Sequence, residues 1–169
     1  LNENGFIESE ITVTRLAAVH FYVLSAAVAQ LHDLDQLTWR KRDDEQVAIT
    51  DVTDDFGVLV LAGPNSRKVL QKLTDTSLAH ADFPFMAFRK VDLGMAPVWL
   101  SRMTYTGDLG FEIWMQPEYQ RYLFDLIMEA GKEYDMRLFG FRALITMRLE
   151  KNFGTWYREY RPIYTPLEA

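Results

Sequence analysis

The sequence predicts an α+β fold, mainly antiparallel sheet with packed helices. Three observations predict it. Stretches with a two-residue hydrophobic period are interspersed with stretches of helical period along all 169 residues. The links between the strand-like stretches are mostly short and hairpin-like, which suits antiparallel pairing. No internal repeat and no low-complexity segment breaks the pattern.

The elements follow in order. Residues 6–15 alternate, with Ile7, Ile11 and Val13 on one face and Glu8, Glu10, Thr12 and Thr14 on the other. Residues 20–25 form a second strand, and the short link between the two predicts a hairpin. A helix is expected from Ala26 to about Trp39, with Ala27, Leu31 and Leu34 along one side. The charged stretch Lys41 to Glu45 reads as a solvated loop. Strands are expected near 46–52 and 57–61. Gly63-Pro64-Asn65-Ser66 then turns into a helix carrying Val69, Leu70 and Leu73, with Pro64 near the start, where a missing N–H costs nothing. This turn lacks the Gly-x-x-x-x-Gly-Lys-Ser/Thr pattern of a phosphate loop. Residues 85–92 and 97–105 read as strands. From Pro117 a helix carries Tyr119, Leu123, Leu126, Ile127 and Ala130, and Gly131 stops it. Gly140 opens another helix reaching about Lys151, and the tail from Phe153 reads as an ordered loop.

Composition narrows the function. The net charge of −6 argues against non-specific nucleic-acid binding and gives an anionic ligand no long-range steering. There is no cysteine, so there is neither a disulfide framework nor a thiolate metal site, and His20, His32 and His80 lack ligand spacing. No metal site is expected. No apolar run approaches the ~20 residues of a membrane span, and no partner membrane is expected. No signal peptide is visible, so the expected location is cytoplasmic, or the mitochondrial matrix in a eukaryote. The opening at Leu1 and the close at Pro-Leu-Glu-Ala suggest a fragment of a longer polypeptide.

One stretch organises the chain: Arg102-Met103-Thr104-Tyr105-Thr106-Gly107-Asp108-Leu109-Gly110-Phe111-Glu112-Ile113-Trp114. It reads as two strands about a tight Thr-Gly-Asp turn. Past the turn, Phe111, Ile113 and Met115 point one way and Glu112 and Trp114 the other. Glutamate suits a half-buried strand poorly. Taken alone, Glu112 therefore reads as a residue of a wet edge strand.

The run Tyr-Thr-Gly-Asp-Leu-Gly-Phe-Glu-Ile closely resembles a signature of the tetrahydrofolate-binding domain of the glycine cleavage T-protein family. Its nearest branch is the folate domain of dimethylglycine and sarcosine dehydrogenases and oxidases. Three further stretches share the resemblance in the family's order. They are Asn4 to Leu16, Leu61 to Arg67, and Met147 to Lys151 with Thr165 to Ala169. The resemblance covers residues 1–169 as a partial T-protein-like domain.

It implies a pterin pocket. A carboxylate offers two acceptor oxygens to the paired N–H and NH₂ donors of a pterin edge, and Glu112 matches the family's carboxylate. Tyr105 also matches, offering a stacking surface and a hydroxyl. Glu10 stands where relatives usually carry aspartate, beside the reactive nitrogens of tetrahydrofolate. There it would stabilise developing positive charge or assist a proton shift. Thr12, Tyr22 and Leu24 match pocket-lining positions, although Tyr22 and Leu24 serve a core equally well. Leu144 departs from the T-protein, which carries a folate-contacting arginine there, and this favours the dehydrogenase branch. Trp156, Arg158, Glu159 and Arg161 are not assigned to the site.

The resemblance implies transfer of a one-carbon unit to tetrahydrofolate, coupled to oxidative N-demethylation of dimethylglycine or sarcosine. The expected partners are folate and a small methylated amine. No Gly-x-Gly-x-x-Gly is present, so FAD belongs to another part of the parent polypeptide. The alternatives are a glycine-cleavage aminomethyltransferase and a non-catalytic regulatory or interaction subunit that kept the fold. Relatives of the second kind include a regulatory subunit of pyruvate dehydrogenase phosphatase.

Overall fold

The computed structural model describes residues 1–169. They form an α+β protein in two compact units, one of Leu1–Asp51 with Gly154–Ala169 and the other of Val52–Phe153.

The first unit carries an antiparallel hairpin of β1 (Ile11–Ala17) and β2 (His20–Ser25). Thr12 pairs with Leu24 and Thr14 with Tyr22, so these four share one half-buried face. Ile11, Val13, Phe21 and Val23 occupy the opposite face and are exposed. The alternation expected from sequence is therefore present, but its more covered face is the threonine face. The strand also starts later than expected: residues 6–10 make no ladder, and Ile7 is buried with its N–H donating to the Tyr164 carbonyl at 2.9 Å.

A single turn of 3₁₀ helix over Ala27–Ala29 leads into α1 (Gln30–Arg40). Its buried stripe runs through Ala29 and Asp33, four residues apart. Leu31, expected inward, is exposed. The stretch expected as a strand near 46–52 joins no ladder and is not a strand, with Val47 and Ile49 exposed. A strand is defined by its ladder, and alternation alone does not supply one.

The second unit is a four-stranded antiparallel sheet in the order β3-β6-β5-β4. The strands are β3 (Gly57–Ala62), β4 (Phe88–Leu93), β5 (Ala96–Ser101) and β6 (Gly110–Met115). One face carries Leu61, Val91, Leu93, Val98, Leu100, Phe111, Ile113 and Met115 into the core. Val69 and Leu70 of α2 (Ser66–Gln71) and Leu123 and Ile127 of α3 (Gln120–Gly131) join the same core. Each buried side chain of this size contributes about 1.5–3 kcal/mol of transfer free energy, so this face anchors β6. The helix α4 (Phe141–Glu150) begins after Gly140, as the sequence indicates.

The signature differs from expectation on its first half. β5 ends at Ser101, so Arg102 to Leu109 form a connection rather than a strand. Both distant and local partners hold it. Arg102 is buried and its guanidinium donates to the Phe83 carbonyl at 2.7 Å, while the Thr106 N–H donates to Thr104 Oγ1 at 3.0 Å. Gly107 sits at φ +73°, the left-handed region that a turn glycine provides.

Candidate functional site

In the second unit, β6 carries the site residue. Core packing of Phe111, Ile113 and Met115 turns Glu112 and Trp114 to the other face of the sheet, as the two-residue period requires. Glu112 pairs with Val60 of β3 on one side and Ser101 of β5 on the other. It therefore lies on a central strand, and the wet-edge reading is corrected. β6 has neighbours on both sides because the chain places β3 outside it, a long-range pairing that local residue pattern does not encode.

Glu112 is half-buried, and one of its oxygens is shut away from solvent. Its Oε2 is buried and has no hydrogen-bond partner. Burial raises its pKa above the ordinary glutamate value, and the neighbouring Trp114 side chain only partly offsets this. A buried carboxylate with one unserved oxygen is costly. A ligand presenting adjacent donors removes that cost. Trp99 pairs with Trp114 and stacks on Phe88 with ring centroids 5.1 Å apart, so aromatic surface flanks the carboxylate along this face.

Tyr105 lies in the connection, half-buried, with its ring stacked on Phe153 at 6.4 Å between centroids. Arg148, near the vacant arginine position at Leu144, is fully buried in α4 and donates to the Phe153 carbonyl at 2.7 Å. It serves the chain end of α4.

In the first unit, Thr12, Tyr22 and Leu24 share the covered face of the hairpin, and Glu10 immediately precedes β1. Glu10 keeps part of its side chain in solvent. Its pKa is nevertheless raised, first by the protein around its carboxyl and then by the nearby Asp33 carboxylate. Glu10, Thr12, Tyr22 and Leu24 belong to the first unit, and Tyr105 and Glu112 to the second.

The structure adds residues that sequence reasoning missed. His32 bridges two carboxylates, with Nε2 2.8 Å from Glu8 Oε1 and Nδ1 3.0 Å from Asp33 Oδ1. Ser9 Oγ donates to Asp33 Oδ1 at 2.6 Å, and Trp156 Nε1 donates to the Glu8 carbonyl at 3.1 Å. His32 and Trp156 rings lie 5.4 Å apart. Twenty-four residues separate Ser9 from Asp33, and no motif spacing links them. The only signal was the adjacent His32-Asp33 pair on an otherwise ordinary helix.

The helices on one sheet face and the buried carboxylate on the other define an α+β protein with a polar centre set in an aromatic sheet face. A solved structure shares the fold: heterotetrameric sarcosine oxidase from Corynebacterium sp. U-96, in complex with pyrrole 2-carboxylate, aligns with a TM-score of 0.63 at 22% identity, over 80% of this chain and 66% of that one. Residues 1–169 match the GCVT N-terminal domain, and the chain belongs to that family. It is 37% identical to mitochondrial dimethylglycine dehydrogenase of Mus musculus, covering 100% of this chain and 20% of that protein. It is 34% identical to the aminomethyltransferase of Thermoanaerobacter sp. (strain X514), over 99% of this chain and 45% of that protein. The chain thus spans about a fifth of the length of the dehydrogenase relative. No helix is long and apolar enough to cross a membrane.

Proposed function

We propose that this chain binds tetrahydrofolate for one-carbon transfer in a protein that oxidatively N-demethylates dimethylglycine or sarcosine. The observation that carries the reading is Glu112, a half-buried central-strand carboxylate whose Oε2 is buried and unpartnered. That donor-hungry group fits the side-by-side N–H and NH₂ of a pterin edge in a charge-assisted pair. Tyr105 and the flanking aromatic surface suit a flat heterocycle. Tetrahydrofolate, when bound, supplies the nitrogens that accept the one-carbon unit. In the first unit, Glu10 is the carboxylate we assign to the one-carbon chemistry, and Thr12, Tyr22 and Leu24 of the hairpin are the lining residues assigned with it.

Leucine at position 144 supports the dehydrogenase branch over the glycine-cleavage transferase. FAD would be held outside these residues, in the parent polypeptide, and the mitochondrial matrix is the proposed location in a eukaryote. The test is calorimetric titration of the full-length protein with tetrahydrofolate, for wild type and Glu112→Gln. Replacing one oxygen by a donor NH₂ opposes a pterin donor and should cost about 2–4 kcal/mol of binding. Equal affinity in the two proteins would overturn the pterin assignment.

A further inference from the structure

We propose that His32 and Asp33, on the first turns of α1, are positioning residues that fix Glu10 and set the field at its carboxyl. The inference rests on the role given to Glu10 above and deepens it.

Glu10 follows two residues that are each held to α1 by a side chain. Glu8 is held twice, by His32 Nε2 at 2.8 Å from its carboxylate and by Trp156 Nε1 at 3.1 Å from its carbonyl. Ser9 is held by Asp33 at 2.6 Å. Residues 6–10 have no ladder to define their path. These side-chain bonds therefore supply the order that sheet pairing supplies from Ile11 onward. A catalytic carboxylate on an unpaired segment needs such support, since a displacement of about an ångström costs around a hundredfold in rate.

The groups facing His32 are Glu8 from the lead-in to β1, Asp33 from α1 and the Trp156 ring from the tail. Both carboxylates favour its protonated form, and its pKa is raised, chiefly by the hydrogen bond to Asp33. Asp33 itself is 6% exposed, and its Oδ2 is buried without a partner. Glu10 stands one residue beyond the Ser9 that Asp33 holds, and its pKa is raised first by burial and then by the Asp33 carboxylate. Negative charge beside negative charge makes Glu10 a better partner for a developing cation and a readier proton acceptor.

The experiment is a set of NMR titrations on the full-length protein, reading His32 by imidazole nitrogen-15 shifts and Glu10 by its carboxyl carbon. Only three histidines need assignment within this chain. The variants are Asp33→Asn, Ser9→Ala and His32→Gln. In Asp33→Asn, His32 should fall back toward the ordinary histidine range and Glu10 should titrate lower than in wild type. Ser9→Ala keeps both charges and loses only the tether. It should leave the titrations near wild type while slowing one-carbon transfer at unchanged folate affinity. His32→Gln, which keeps a donor toward Glu8, should recover most of the rate that His32→Ala loses. If Glu10 titrates identically in wild type and Asp33→Asn, or if Ser9→Ala transfers at the wild-type rate, the inference is wrong. If instead the titrations move as stated but Glu10→Ala transfers normally, the role assigned to Glu10 fails and the electrostatic coupling stands.

Discussion

At the scale of single residues, Glu112 links stability to binding. Its pKa is raised on folding, mainly by burial. In the window above the unfolded glutamate value, the native state therefore holds more proton than the unfolded one. Stability then falls as pH rises through that window, and is highest below the unfolded pKa. The ligand-free protein thus carries a charge-burial penalty at neutral pH that Glu112→Gln removes, because the amide carries no charge to desolvate. Thermal melting without ligand should show Glu112→Gln as stable as wild type or more so at pH 7, the difference closing as the pH falls. Parallel melting curves of fixed offset across pH would show that Glu112 is not a buried charge. His32 runs the same way, in a higher pH window. Its pKa is raised by its carboxylate partners, so its contribution is full below the unfolded histidine value and is lost as pH rises through the folded one.

At the scale of elements, β6 and the connection before it make separable contributions. Phe111 is fully buried in the sheet core, and Phe111→Ala should destabilise by about 3–5 kcal/mol in chemical denaturation. The Gly107 turn is different. A Cβ there would stand 2.5 Å from Lys151 Cγ, at φ +73°. Gly107→Ala should cost about 1–2 kcal/mol, most of it backbone strain in the left-handed region. Lys151→Ala in the same protein relieves the contact and should recover only a small part of the loss, whereas full recovery would place the cost in the side chain. The period of β6, the helix starts at Pro117 and Gly140, and the hairpin of β1 and β2 were all legible in the sequence, because each is set by local alternation or capping. The ladder partners were not. Residues 46–52 alternate as well as any strand yet join no ladder, and Glu112 was read onto an edge because β3 reaches β6 across about half of the second unit's length.

At the scale of the whole molecule, family membership was legible from four short stretches taken in order, and the match over residues 1–169 bears it out. The cluster of Glu8, Ser9, His32, Asp33 and Trp156 was not legible, since it joins the chain's first residues to α1 and to the tail. The central claim is that the chain directs a one-carbon unit onto folate, with Glu10 serving the chemistry. Its most direct test is product partitioning in the full-length protein, with dimethylglycine or sarcosine and tetrahydrofolate supplied, comparing wild type, Glu10→Ala and Glu10→Asp. Glu10→Ala should keep folate affinity and amine oxidation, while transfer falls by roughly a hundredfold or more, so that formaldehyde is released in place of methylenetetrahydrofolate. Glu10→Asp, which shortens the reach but keeps the charge, should retain substantial transfer. Partitioning unchanged between wild type and Glu10→Ala would contradict the account.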